Sequence, residues 1–214
     1  MKNKLLIYKL LIVVVMVMVW VFIYPKLPDT VPIHWWFDGQ ADRMWSKLMH
    51  VVMFPAIALF MALLFSYLPK LDPKKENYEK FGSVWEIFQF SILGFFLYIY
   101  IVSSYIMFNP EYNISKFVLF GIWLLFVILW NYMWKIRQNY FVGIKLPWTL
   151  ADEEVWNKTH RFGGKMFMLG WALFILNTFF LRQIVWVFTV VVCLIIFSPI
   201  IYAYLIFKKK KSLK

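Results

Sequence analysis

Six runs of apolar residues, separated by short polar joints, set the plan of the chain: Leu5 to Tyr24, Met49 to Leu68, Trp85 to Phe108, Phe117 to Trp134, Met166 to Leu181 and Ile184 to Phe207. About 20 apolar residues in a helix span the hydrocarbon core of a bilayer, so the pattern predicts six transmembrane helices. The first run is too long for a signal-peptide core and no small-x-small cleavage site follows it, which makes it a retained first span. Only Arg182 and Gln183 separate the last two runs, predicting a tight helical hairpin there. The expected fold class is an all-α polytopic membrane helical bundle, residues 1–214 forming a single membrane domain. Residues 1–108 hold its first three spans and 109–214 its last three.

Three polar segments interrupt this pattern. The first, 25–48, reads PKLPDTVPIHWWFDGQADRMWSKL. Its prolines Pro25, Pro28 and Pro32 disfavour helix and predict an extended start, Asp38-Gly39 is a turn signal, and Trp35, Trp36, Phe37 and Trp45 can fold the loop back on the membrane surface. An ordered cap is expected. The second, 69–84, is short and of mixed charge and reads as a solvated connector. The third, within 135–165, is the polar exception in the second half of the chain: NYFVGIKLPWTLADEEVWNKTHRFGG from Asn139 to Gly164.

Local chemistry gives that third segment a definite shape. Gly143 permits a positive φ or a close backbone approach, and Pro147 biases Leu146 away from helix. Thr149 is a good N-cap with Asp152 three residues on. Asp152, Glu153 and Glu154 suit the first turn of a helix dipole, and Glu154 to Lys158 has the favoured i, i+4 polarity. A short helix from about Leu150 to Phe162 is expected between spans four and five, with Ala151, Val155, Thr159 and Phe162 on one face. Gly163-Gly164 then supplies either a bend into the fifth span or a close helix contact.

Composition and charge fix the class and the orientation. Hydrophobic residues make up 63% of the 214, against roughly 45–50% in a soluble domain. Lys and Arg favour the cytoplasmic side, and with the N-terminus inside they divide 18 to 5 in favour of the face holding both termini and segments 69–84 and 135–165. The expectation is a multi-pass cytoplasmic-membrane protein with both termini cytoplasmic and segment 25–48 outside. The net charge of +12 sorts by loop instead of forming a basic face on a folded aqueous domain, so direct nucleic-acid binding is not expected. The lysine run from Lys208 reads as a positive-inside stop attracted to anionic lipid. Trp20, Trp85, Trp123, Trp134 and Trp186 near span ends read as interfacial anchors. The lone Cys193 excludes an intrachain disulfide and is expected to pack in the core.

Candidate chemistry is sparse. His34, Asp38 and Asp42 are possible ligands for a divalent ion, but a chelate needs three or four convergent donors. Hydrogen bonding within the cap explains them better, and neither a metal nor a cofactor is expected. Thr149, His160 and Asp152 or Glu154 can be drawn as a catalytic set, yet no nucleophile elbow, HExxH or phosphate loop is present, so enzymatic activity is not expected. No span carries a charge at mid-depth, where transporters place functional ionisable groups.

Two motifs resemble those of a known family. GIKLPWTLADEEVWNKTHRFGGK, beginning at Gly143, resembles the GI(R/K)xPWTLxxExVWxxxxRF signature of the SdpI/YfhL family, six-span bacterial membrane proteins. LPDTVPIHWWFDGQADRMWSK resembles the segment of an uncharacterised domain that accompanies the family's first half. The departure is Lys145-Leu146 where the family commonly has Arg-Thr, which weakens any bidentate contact that arginine makes. The resemblance implies a membrane immunity protein that protects against a secreted peptide toxin outside and, on sensing it, holds a small DNA-binding repressor inside. It further implies a cytoplasmic docking and signalling motif at Gly143, Lys145, Pro147, Trp148, Thr149, Glu154, Trp156 and Arg161. The ligand-facing cap would comprise Pro32, His34, Trp35, Asp38 and Asp42, and no cofactor is implied. The alternative is a small-solute transporter or channel-like protein. Its motive is that three spans per half would invert the second half relative to the first, an arrangement transporters use. A purely structural role for the inner motif, folding a surface or re-entrant helix, accounts for the same residues.

Overall fold

The structure, a computed structural model, describes residues 2–36, 39–180 and 185–212. It is an all-α polytopic bundle with one small sheet. Its elements are helix α1 (Lys2–Ile23), strands β1 (Thr30–Trp35) and β2 (Ala41–Ser46), and helices α2 (Lys47–Leu71), α3 (Asn77–Lys80), α4 (Gly82–Phe108), α5 (Ile114–Met133), α6 (Pro147–Ala151), α7 (Glu153–Phe180) and α8 (Val185–Ser212). Among the described residues, α1, α2, α4, α5 and α8 are long and apolar enough to cross a membrane. The expected fifth span, from Met166, continues α7 without a break. Its end and the expected Arg182-Gln183 hairpin lie outside the described residues.

The chain divides into two compact units, one of residues 1–67 and 88–125, the other of 68–87 and 126–214. In the first unit, segment 25–48 goes further than an extended start: it forms an antiparallel hairpin. Thr30, Val31 and Ile33 are β-branched and Pro32 rejects helix, so the strand is locally encoded. The register shifts between Pro32 and His34 and again between His34 and Trp35. Such bulges twist a two-stranded ribbon and re-aim its side chains.

A hairpin alone in water is marginal, and this one is held at both ends. At its base, Lys47 donates its backbone N–H to the Asp29 carbonyl at 2.9 Å, and its ammonium meets the Asp29 carboxylate at 3.0 Å. Val31 is buried with Leu27 and Val51, flanked by Trp20, Ile23, Tyr24 and Met107, and burying each such aliphatic side chain contributes about 1.5–3 kcal/mol. Near its tip, the Ser115 hydroxyl donates to the Trp36 carbonyl at 3.1 Å. Gly39 there has φ +88°, and a Cβ would stand 2.7 Å from Oδ1 of Asn113. Asp38 of this turn lies outside the described residues.

Three expectations are corrected by the helices. Lys9, one of the 18 basic residues counted on the inner face, is buried inside α1, where its amine donates to Ser66 Oγ at 2.6 Å and Gln89 Oε1 at 2.8 Å. A basic side chain is therefore buried near the N-terminal end of the first span. Neutral oxygens on α2 and α4 replace water around it, and a buried ammonium requires such acceptors. Cys193, expected in the core, is exposed on α8 beside exposed Leu194, Ile196 and Phe197. An apolar face turned outward on a span is suited to lipid, where a thiol costs little. Trp85, read as an interfacial anchor, is instead buried and stands edge-on to Tyr78, ring centroids 5.6 Å apart.

Replacing Gln89 by Leu removes one acceptor from the buried Lys9. The expected result in detergent is a thermal midpoint lowered by several degrees, for a loss of about 1–3 kcal/mol. Lys9→Met combined with Gln89→Leu should cost less than the sum of the two single changes, as a double-mutant cycle reads directly.

Candidate functional site

The second unit is built around segment 135–165. After α5 the chain leaves helical geometry for about a dozen residues, and every buried backbone group it exposes needs a new partner. Asn139, fully buried, supplies most of them. Its Oδ1 accepts from the backbone N–H of Phe141 at 2.9 Å and of Val142 at 2.7 Å. Its Nδ2 donates to the carbonyls of Arg137 at 2.8 Å and Val142 at 3.0 Å.

Segment 69–84 is no solvated connector, as was expected from its mixed charge, but the other half of this knot. Asp72, 2% exposed, accepts from the backbone N–H of Lys74 at 2.7 Å and of Tyr140 at 2.9 Å. The Tyr78 hydroxyl donates to Asp72 at 3.2 Å and approaches Asn139 Oδ1 at 3.4 Å. Burial, reinforced by that carboxylate, raises the tyrosine's pKa and keeps it a donor. Gln138 completes the knot: its Nε2 donates to the carbonyls of Thr149 and Leu150, its Oε1 accepts from Lys74, and its backbone carbonyl accepts from Asn77 Nδ2. Isolated polar residues in a mixed-charge loop carry no periodic signal, which is why Asp72, Tyr78, Gln138 and Asn139 escaped notice in the sequence.

The signature residues then fold over this base. Gly143 adopts φ +117°, and a Cβ there would collide with His160 and stand 3.0 Å from the Trp156 ring, so both reasons for a glycine hold. Leu146 is extended and Pro147 opens α6. Thr149 is not an N-cap. Fully buried at the third position of α6, its hydroxyl accepts from the Leu146 N–H at 2.8 Å and reaches the Ile144 carbonyl at 2.8 Å. Proline at the first helical position starts the helix early, and the hydroxyl is taken up by closing the preceding turn.

Asp152 takes over as the cap of α7. Extended itself, it accepts from the N–H groups of Glu154 at 2.9 Å and Val155 at 3.0 Å. The short helix of segment 135–165 is therefore α6, Pro147–Ala151, and the predicted stretch 150–162 is mostly the first turns of the long α7. α7 runs through Gly163 and Gly164 without interruption. They take the close-contact role: a Cβ on Gly163 would meet Ile144 Cδ1 at 2.9 Å, and one on Gly164 the Trp130 carbonyl at 3.4 Å.

Two buried aromatics lock α7 onto the loop. The Trp156 indole N–H donates to the Ile136 carbonyl at 2.9 Å, and its ring stacks on His160 with centroids 4.1 Å apart. His160 Nε2 accepts from the Ile144 N–H at 2.9 Å, and Nδ1 lies 2.8 Å from the Trp156 carbonyl, to which it donates. One ring nitrogen must accept while the other donates, which is possible only for neutral imidazole. Burial accordingly lowers the His160 pKa to about 4. Thr149, His160 and the acids are thus engaged separately and do not assemble as a catalytic set. The Trp148 ring meets Tyr204 edge-on at 5.5 Å, and its buried N–H has no acceptor among the described residues.

A charged rim lies on the exposed side. Lys210 of α8 bridges Asp152 at 2.8 Å and Glu154 at 2.7 Å, while Lys158 meets Glu154 at 2.7 Å. The Lys210 hydrogen bond holds the Asp152 carboxyl below its usual range, and Lys158 then Lys210 do so for Glu154. Lys145, Pro147 and Arg161 are exposed. The Lys145 ammonium donates to the Phe141 carbonyl at 3.0 Å.

In the first unit, His34 Nδ1 and Asp42 Oδ1 are 2.6 Å apart across the hairpin, and the His34 ring stands edge-on to Trp36 at 6.5 Å. Among the described residues, no three His, Cys, Asp or Glu side chains converge as metal ligands. Pro32 pairs with Met44, and Trp35 with Ala41.

Comparison with known proteins bears out the resemblance. Residues 135–203 match the SdpI/YfhL protein family, and residues 11–59 match a domain of unknown function (DUF1648). The chain is 27% identical over 191 residues to the immunity protein SdpI of Bacillus subtilis (strain 168), covering 88% of this chain and 89% of that protein. No solved structure gives a significant match. The chain is a membrane protein by its apolar helices, similar in sequence to that immunity protein.

Two outcomes test this geometry. Asn139→Ala orphans two half-buried N–H groups and should lower stability by about 1–3 kcal/mol, seen as a lower thermal midpoint and loss of hydrogen-exchange protection at Phe141 and Val142. His160 binds its proton more weakly folded than unfolded. Stability should therefore be complete above about pH 6.5 and fall as pH drops toward 4, by a few kcal/mol in all. His160→Gln should flatten that limb of the stability profile.

Proposed function

We propose that this chain is a cytoplasmic-membrane immunity and sensor protein without chemistry of its own, both termini cytoplasmic. The hairpin around Pro32, His34, Trp35 and Asp42 meets a secreted peptide toxin outside, and the signature segment docks a small DNA-binding repressor inside. Sequence similarity to an immunity protein over most of both chains carries the immunity reading. The distribution of Lys and Arg supports the orientation.

Burial narrows the docking surface. Gly143, Thr149 and Trp156 act within the fold, because their atoms are consumed by the loop's own contacts. Lys145, Pro147, Glu154 and Arg161 are exposed and remain for a partner, with Trp148 at the edge. Arg161 and Trp148 are of the residue types enriched at interface hot spots.

The test is expression in a sensitive bacterium exposed to the sporulation-delaying peptide. Survival well above empty-vector controls is expected, and survival equal to them removes the immunity reading. Lys145→Ala with Arg161→Ala should abolish membrane recruitment of a fluorescently tagged repressor at unchanged protein level. Recruitment that persists would make the segment structural only.

A further inference from the structure

α7 and α8 enclose a groove of about 650 Å³ in the second unit, and the residues lining it include five cations against a single carboxylate. That carboxylate, Glu154, is already turned to Lys158 and Lys210. Arg161, Lys165 and Lys209 also line the groove, and no ion pair engages them among the described residues. Three uncompensated cations gathered in one concavity repel one another, and a bound anion relieves that repulsion.

The floor is apolar. Phe162 and Tyr202 stack with centroids 4.2 Å apart, and Ile206 adjoins them. Beyond the basic end, the same helices turn Met168 and Leu169 of α7 and Ile201 and Leu205 of α8 outward. A ligand that fits both halves carries phosphate at one end and hydrocarbon at the other. Arg161 offers a planar fork suited to two phosphate oxygens, with the lysines as point charges.

We propose that this groove is a binding site for the phosphate headgroup of an anionic phospholipid, whose acyl chains run along the exposed apolar faces of α7 and α8. The inference needs only that the chain lies in a membrane; it requires neither toxin nor repressor, and Arg161 is the one residue it shares with the proposed docking surface. It differs from the general attraction of a lysine-rich tail for anionic lipid, because Lys208 and Lys211 do not line the groove.

The experiment uses the full chain in a neutral detergent, titrated separately with dioctanoyl phosphatidylglycerol, dioctanoyl phosphatidylcholine and inorganic phosphate, with thermal midpoint as the readout. Phosphatidylglycerol should raise the midpoint saturably by several degrees, with little response to the other two. The variant Arg161→Gln/Lys165→Gln/Lys209→Gln should need at least tenfold more phosphatidylglycerol for the same shift, while eluting as a single species like the parent. Lys208→Gln/Lys211→Gln, which removes tail charge outside the groove, should respond as the parent does. An equal response to phosphatidylcholine, or a triple variant that still responds, overturns the site. Equal loss in the tail variant overturns it in favour of diffuse attraction. An equal response to inorganic phosphate overturns the lipid assignment in favour of a free anion.

Discussion

The second unit depends on one constraint: a stretch of non-helical backbone, flanked by apolar helices, must find partners for every polar group it buries. Unpaired N–H and C=O groups cost a few kcal/mol each in an apolar setting. Asn139 answers that demand with a side chain that donates and accepts at once. Asp72 extends the answer to segment 69–84 by taking the Tyr140 N–H. A residue that only donates or only accepts cannot replace Asn139, because its four contacts divide between both roles.

From that knot the signature follows as a sequence of steric and polar requirements. The loop can approach α7 closely only because Gly143 has no Cβ to strike His160 and Trp156. His160 can accept from Ile144 only while neutral, and it stays neutral because Trp156 stacks over it and excludes water. Asp152 ends the irregular stretch by capping α7. Its remaining oxygen meets Lys210, so the far end of α8 is tied to the start of α7 by the same carboxylate that begins the helix.

Much of this was legible in the residues, and the failures share a cause. Apolar run length located the long helices, and Gly143, Pro147 and the Glu154–Lys158 pair behaved as their local chemistry dictates. What local chemistry misjudged was the role of each polar group once partners distant in sequence became available. Thr149 lost the N-cap position because Pro147 had already begun a helix, and from the third helical position its hydroxyl takes the Leu146 N–H instead. Lys9 counted as one more cation of the inner face, yet Gln89, 80 residues away, offers it an acceptor. The hairpin's prolines announced extended backbone, but its pairing partner follows from a register that no single strand encodes.

The same separation bears on how a family signature should be interpreted. Its residues fall into two physical classes, those whose atoms are used up by the fold and those left facing outward. Gly143, Thr149 and Trp156 belong to the first, so a partner is not needed to explain them. Pro147 and Arg161 belong to the second, since both are exposed, while Lys145 is exposed but spends its ammonium on the Phe141 carbonyl of the loop. Glu154 sits between, exposed but balanced by Lys158 and Lys210. A partner that competes for Lys210 would leave this carboxylate to Lys158 alone, and it would do so at the point where α8 is tied to the start of α7. The charged rim is thus the part of the signature at which an external contact can alter the segment without first breaking its buried knot.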